Sequence, residues 1–303
     1  MSDADLVSRA LAVAAEDPDA IVAVVGATGS GKTALAVALA ERLGGEIVGC
    51  DSVQIYRGFD IGSGKPSAEE LSRARHHMVG VVDPHEPIDA AKYAEMARAE
   101  VADIRARGRR PIVCGGTFLW VKALVFGLAE APPADEAIRA RHREAAEREG
   151  RAALHARLRE IDPVSAERLH PNDLVRVSRA LEVHELTGRP LSAWQAEHGF
   201  AETLHAANMI AIAHEPAALT ARIEARVDLF LADGWIDEVR ALRAAGYGGA
   251  RAMGSVGYRE VCAMLDGALA ESELRAAIVR ATRVFARRQR TWLNHADVAW
   301  LRA

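Results

Sequence analysis

Cysteine is scarce. Cys50, Cys114 and Cys262 lie far apart in a chain of 303 residues, without a C-x-x-C pair and without an even count. This spacing excludes a disulfide framework or a zinc site and leaves each thiol as a small core side chain. Long apolar runs are missing as well, since no stretch approaches the ~20 residues of a membrane span. The opening Met1–Asp5 has no basic cluster and the apolar patch Leu11–Ala15 is too short for a signal core, so the expected setting is the cytoplasm, with no membrane. The third shortage is lysine. Only Lys32, Lys65, Lys92 and Lys122 occur among 38 basic residues. That marks Lys32 and Lys65 as places where a compact, mobile charge serves chemistry that a planar guanidinium does not.

A net charge of −4 argues against a generic nucleic-acid coat. Its distribution says more. Arg275, Arg280, Arg283, Arg287, Arg288 and Arg290 follow one another with no intervening acid, a local cationic stripe on an acidic chain. With 50% hydrophobic residues the chain can bury a large core, as one large domain or two.

The most informative stretch is Gly26–Ala27–Thr28–Gly29–Ser30–Gly31–Lys32–Thr33, which matches G-x-x-x-x-G-K-[ST] at every defined position. It follows the β-branched run Ile21–Val25 and leads into the helix formers Ala34–Leu43, ending at Gly44–Gly45. Strand, loop, helix is the order the motif needs. The glycines let successive backbone N–H groups and the helix N-terminus face one anion, Lys32 adds a point charge, and the Thr33 hydroxyl can hold Mg²⁺. The expected ligand is a phosphorylated one with magnesium.

Glu46–Cys50 reads as a buried strand ending at Asp51–Ser52–Val53–Gln54. At the carboxyl end of a parallel strand, Asp51 shares a rim with the phosphate loop. It can hold magnesium through water, take a proton from a nucleophile, or cap the next segment. Asp60–Pro66 is a Gly-rich turn whose Lys65 either lends a second charge to a diphosphate or is a solvent-exposed turn lysine. Met78–Val82 reads as another buried strand, ending in Asp83, a rival for the magnesium-holding role; His76 and His77, adjacent in an extended chain, point to opposite faces. Ala90–Arg107 is helical, Arg109–Cys114 is a strand, and Gly115–Gly116–Thr117 opens the apolar helix Phe118–Val125, where the Thr117 hydroxyl caps the helix or touches a ligand. The order β-α-β-α-β-α-β calls for a parallel sheet with helices on both faces.

Beyond Ala131–Pro132–Pro133 the pattern turns helical, with eleven arginines against nine acids from Arg139 to Arg189. Prolines at entry and exit mark an insertion. Arg176 and Arg179, three apart, share a helix face that suits a phosphate backbone. Strand character returns at Asn208–Ala213, Arg222 and Arg226 stand one turn apart on the next helix, and Gly254–Arg259 is a Gly-punctuated loop whose aromatic and cation suit an unpaired base. A basic helix closes the chain.

Asp51–Gly62, Lys65–Pro66, Gly115–Thr117, His170–Asp173, Val256–Glu260 and Ala286–Gln289 together resemble the bacterial tRNA dimethylallyltransferases, the IPP transferase family, in the family's order from about Ile21 to Trp292. The resemblance implies an α/β fold, a P-loop NTPase-like parallel sheet with helices on both faces, plus an inserted all-helical tRNA-binding domain. The expected division is 1–128 and 198–303 for the core and 129–197 for the insertion. The implied reaction moves a dimethylallyl group from dimethylallyl diphosphate to the exocyclic N6 amine of adenosine at tRNA position 37, beside the anticodon. Asp51 would be the base. Gly26 through Thr33 and Arg226 would hold the diphosphate, with Mg²⁺ on Thr33 and with Lys32 and Thr33 serving the leaving group. Because a stacked anticodon-loop base is inaccessible, the adenine would be extruded into the protein. Asp51, Ser52, Val53, Gln54, Thr117, Arg139, Val175, Arg176, Val177, Ser178, Arg179, Ser255, Val256, Gly257, Tyr258 and Arg259 match positions that contact the tRNA anticodon stem-loop. A monomer is expected. The chain departs from the family at Phe118–Leu119–Trp120, aromatics expected to reshape the prenyl or base pocket. Two rivals stand beside this reading: a P-loop kinase or NTPase, and a non-catalytic, nucleotide-gated RNA-binding protein.

Overall fold

The computed structural model describes residues 3–294 and 296–303 and divides into two compact units, one made of the chain up to Val125 together with Leu204–Ala303, the other of Phe126–Thr203. In the first, the chain runs α1 (Asp3–Ala15), β1 (Ile21–Val25), α2 (Lys32–Leu43), β2 (Gly45–Gly49), α3 (Ala68–Arg73), β3 (His76–His77), α4 (Ala90–Ala106), β4 (Arg110–Gly115) and α5 (Phe118–Phe126). The second unit carries α6 (Glu136–Glu149), α7 (Arg151–Ile161), α8 (Pro163–Arg168), α9 (Leu174–Thr187) and α10 (Leu191–His198). The first unit then resumes with β5 (Ala207–Ala213), α11 (Pro216–Ala232), α12 (Trp235–Ala244), α13 (Tyr258–Leu265), α14 (Glu271–Leu293) and β6 (Ala299–Arg302).

Every residue of β1 is apolar, because a strand in the middle of a parallel sheet is covered on both faces. The six strands are all parallel, in the order β3-β2-β4-β1-β5-β6. β1 takes β4 on one side, with Val22 opposite Ile112, and β5 on the other, with Val22 opposite Asn208. One face is sealed by α1 and α2, where Ala10, Ala14, Leu35 and Leu39 pack on Val22, Val24, Ile112 and Ile210. On the other, Tyr93 of α4 is fully buried and its hydroxyl donates to the Gly49 carbonyl (3.1 Å).

Two expectations need correction. Met78–Val82 is not a strand: pairing stops at His77, because Met78 and Gly80 take positive φ (62° each) and the chain folds back so that Val81 N–H and Val82 N–H reach the Ile55 carbonyl. The basic helix does not close the chain, since β6 follows it and pairs with β5. α1 packs into the core, its carboxyl end held by Arg110, which donates to the Ala14 and Asp17 carbonyls.

The helical unit has a core of its own, built on Leu154, Leu158, Val177 and Ala180. Two buried carboxylates organise it. Glu182 is fully buried and accepts from both the fork of Arg139 (3.0 Å twice) and Arg179 (2.7 Å), as well as from the Asp135 N–H. Asp162, also fully buried, accepts from Ser165 Oγ–H and from the N–H groups of Ser165 and Ser192. Burial alone would raise both carboxyls, but these donors outweigh it and hold both below the ordinary range. A carboxyl depressed in the folded state contributes stability that is complete above its unfolded value, about pH 4, and is lost as pH falls through the lower folded one. Melting of this unit should therefore shift down below pH ~4. Glu182→Ala should cost roughly 3 kcal/mol at neutral pH, because it strands two partly shielded guanidiniums; a midpoint that does not move in thermal unfolding would show that the cluster adds no net stability.

Candidate active site

The phosphate loop leaves the carboxyl end of β1, and the φ values of Gly29 (79°) and Gly31 (90°) are in the left-handed region that a side chain disfavours. It is gripped by side chains from the second half of the chain. Arg222 Nε donates to the Gly29 carbonyl (2.8 Å), His214 Nε2 to the Ser30 carbonyl (2.8 Å), and Gln289 Oε1 accepts from the Thr28 N–H (2.9 Å). With the Gly29 and Ser30 carbonyls engaged, the amides at the start of α2 remain for an anion. Lys32 Nζ lies 3.5 Å from the Ala27 carbonyl, and desolvation pulls its pKa down although Asp51 nearby opposes this.

Lys32 and Thr28 open onto a cavity of about 320 Å³, lined also by Asp51, Ser52, Val53 and Thr117. Asp51 follows β2. Its Oδ1 accepts from the N–H groups of Val53 (2.9 Å) and Gln54 (3.3 Å), an Asx turn, while Oδ2 has no hydrogen-bond partner among the described residues. Thr117 does not cap α5. Its hydroxyl accepts from the Ser52 N–H (3.1 Å) and so ties the β4 rim to the Asp51 turn, with its own proton free for a ligand.

The opposite wall is α11, whose Ile223, Arg226, Val227 and Phe230 recur at one face and all line the cavity. Arg226 lies over the Phe230 ring (4.6 Å); burial lowers its pKa while Asp51 pulls the other way. The cavity thus joins the charged Lys32, Arg226 and Asp51 to an aromatic lining of Phe230, Trp235, Tyr258 and Phe285. Trp235 is wedged between Gly62 and Gly257, where any Cβ would collide with the indole. Three residues on, the Glu238 carboxylate accepts from the N–H groups of Asp60 (2.8 Å), Ile61 (2.6 Å) and Gly62 (3.1 Å) and from the Tyr258 hydroxyl (2.7 Å). Burial pushes the neighbouring thiols up, Cys114 to about 11, so neither Cys50 nor Cys114 is a nucleophile at neutral pH.

A family model described as IPP transferase matches residues 54–296. The chain belongs to the IPP transferase family. It is 62% identical over 289 residues, 95% of this chain and 92% of the other, to the tRNA dimethylallyltransferase of Sorangium cellulosum, and 48% identical over 94% of this chain and 93% of the other to that of Geobacter metallireducens. The crystal structure of the full-length tRNA isopentenylpyrophosphate transferase from Bacillus halodurans superposes with a TM-score of 0.69 at 36% identity, covering 94% of this chain and 90% of that one. A eukaryotic dimethylallyltransferase acting on tRNA gives 0.71 at 25% identity, covering 93% and 73%. The family model begins after the phosphate loop and Asp51, whereas the match to the Sorangium cellulosum relative, over 95% of this chain, spans both.

Several candidate residues are placed elsewhere than the pattern suggested. Lys65 is tied to Asp60 (2.6 Å) and to the Tyr56 carbonyl (2.6 Å) and does not line the cavity. Asp83 pairs with Arg57 (3.5 Å) and is likewise outside it. Tyr258 cannot offer a ring face to a base, being fully buried against Phe59 and Trp235. Gln54 spends its amide protons on the Ser63 and Gly64 carbonyls, and Arg259 pairs with Glu260. In the helical unit Val177 and Ser178 are buried, Arg139 and Arg179 serve Glu182, and only Val175 and Arg176 present exposed side chains in that run, Arg176 paired with Asp173. Trp120 stacks on Tyr93 (4.3 Å) in the core, and none of Phe118, Leu119 and Trp120 lines the cavity.

Sequence reasoning missed His214, Glu238 and Trp235, and gave Arg222 and Gln289 no role at the loop. The one available signal was Gln289, the single uncharged residue in Arg287–Arg290. Glu238→Ala should leave three backbone donors without an acceptor and cost roughly 2–4 kcal/mol, visible as a lower urea midpoint; Gly257→Ala, which adds a methyl into the Trp235 indole, should lower it as well.

Proposed function

We propose that this protein is a tRNA dimethylallyltransferase that moves a dimethylallyl group from dimethylallyl diphosphate to the N6 amine of adenosine 37 in the anticodon loop. The observation that carries the reading is the single cavity in which a phosphate loop, Arg226 and a free carboxylate oxygen of Asp51 meet an aromatic wall. A nucleoside triphosphatase needs the first two; an aromatic compartment beside them suits a carbon chain and a base.

The adenine amine is a poor nucleophile, its lone pair being delocalised into the ring. As the nitrogen attacks C1 of the allyl chain, the C–O bond to diphosphate breaks and its electron pair leaves with the diphosphate. The amine proton passes to Asp51 Oδ2, while Oδ1 stays in its turn and fixes the carboxylate. Lys32, Arg226 and the amides at the start of α2 meet the charge that grows on the leaving group. The Lys32 ammonium, desolvated and with its pKa lowered, gains most from an arriving anion.

Magnesium fits this donor set as an ion that brings most of its own ligands. Thr33 offers one neutral oxygen beside the neutral Cys114 thiol, and no group of three or more acidic, His or Cys side chains is placed for a metal among the described residues. Thr33 would hold the ion, which supplies charge neutralisation on the diphosphate. Among the described residues no helix is long and apolar enough to cross a membrane; we place the enzyme in the cytoplasm, acting as a monomer.

The test mixes protein, Mg²⁺, dimethylallyl diphosphate and unmodified tRNA and weighs the nucleosides released. Prenylated adenosine is the expected product. Asp51→Asn keeps the acceptor of the turn and removes the base, so kcat should fall at least ~10²-fold with tRNA affinity little changed. ATP turnover without prenyl transfer to any of several tRNAs would favour the NTPase reading instead.

A further inference from the structure

We propose that Gln289 restricts the phosphate loop to diphosphates and excludes triphosphates. The inference rests on reading the loop as a diphosphate site. Its basis is the side chain that α14 lays against the loop on the cavity side.

Gln289 is 8% exposed. Its Oε1 accepts from the Thr28 N–H and its Nε2 donates to the Gly116 carbonyl, each at 2.9 Å. One partner is a pure donor and the other a pure acceptor, so the amide has a single orientation; a flip would set N–H against N–H and oxygen against oxygen. It is also wedged in place. A Cβ on Gly116 would collide with Nε2, so the glycine is what admits the amide, and Gly26, Phe118 and Leu293 close the space behind it. Thr282 and Phe285, seven and four residues earlier on α14, line the cavity with Gln289, so one face of that helix walls the loop's open side.

In a loop that holds a nucleoside triphosphate, the backbone amides and the motif lysine cradle the β- and γ-phosphates together. Thr28 is the third residue of this loop, on the limb away from α2. Its amide is already satisfied, and the atom that satisfies it is a carbonyl oxygen with a second lone pair. A diphosphate seated on Lys32, Arg226 and the first amides of α2 has what it needs. A third phosphate extending toward Thr28 would lose that amide and would meet an acceptor with no proton to offer. The motif's other half is intact, which explains how a sequence that reads as nucleotide-binding can be tuned to a shorter anion.

The experiment measures binding of inorganic diphosphate and inorganic triphosphate, each with Mg²⁺, by calorimetry on the full chain: wild type, Gln289→Ala and Gln289→Met, the last keeping the bulk without the carbonyl. Wild type should prefer diphosphate, and both variants should narrow the preference at least ~10-fold, the scale of one hydrogen bond to a charged group. A purely supporting role would weaken both anions together and leave their ratio within about twofold, which overturns the proposal. So does a wild type that binds the two anions equally, a result that leaves the diphosphate reading intact, or a melting curve showing neither variant folded at the assay temperature. Wild type binding neither anion would remove the diphosphate reading and this inference with it.

Discussion

The structure depends on β1 being hydrogen-bonded on both edges. A strand with parallel neighbours on either side has no free backbone groups and no exposed face, so its five residues are forced to be apolar and its direction is set. One neighbour, β4, comes from before the helical unit and the other, β5, from after it. The sheet therefore closes only when chain far beyond the phosphate loop has returned. That return brings His214, Arg222, Arg226 and Gln289 to a loop that begins at Gly26.

The loop is consequently a tertiary object. Its glycines permit the curl, but which peptide groups face the anion is decided by three side chains that hold its peptide groups. Gln289 also holds the Gly116 carbonyl, next to Thr117, which in turn holds the Ser52 amide beside Asp51. Loop, β4 rim and Asp51 turn are thus linked by short polar contacts across three elements. The aromatic lining is fixed in the same manner by α12, whose Glu238 gathers the backbone of residues 60–62 while Trp235 fills the slot left by two glycines.

The arginine-rich helical unit shows how misleading charge counts are. Eleven arginines suggest a surface for a polyanion, yet Arg139 and Arg179 converge on Glu182 inside that unit. A buried carboxylate needs donors, and arginine supplies them while keeping its outer edge in solvent. Spacing places two arginines on one face; it does not say whether the face looks inward or out.

By itself the sequence determined the parallel α/β sheet, the phosphate loop, the placement of Asp51 on the same rim and the helical insertion. These follow from local rules: β-branched runs, glycine spacing, helix periodicity and the strand-loop-helix order. The insertion is read from the sequence as 129–197, and the second compact unit spans Phe126–Thr203. Local rules failed at Met78–Val82, where two residues of positive φ end the strand, and at β6, whose four residues are a strand only because β5 offers an edge. Tertiary structure alone decided that Lys65 and Asp83 are structural, that Tyr258 is walled in, and that Gln289 reaches the loop. Each depends on a partner distant in sequence, and no pattern along a chain encodes which distant carbonyl or carboxylate a side chain will meet.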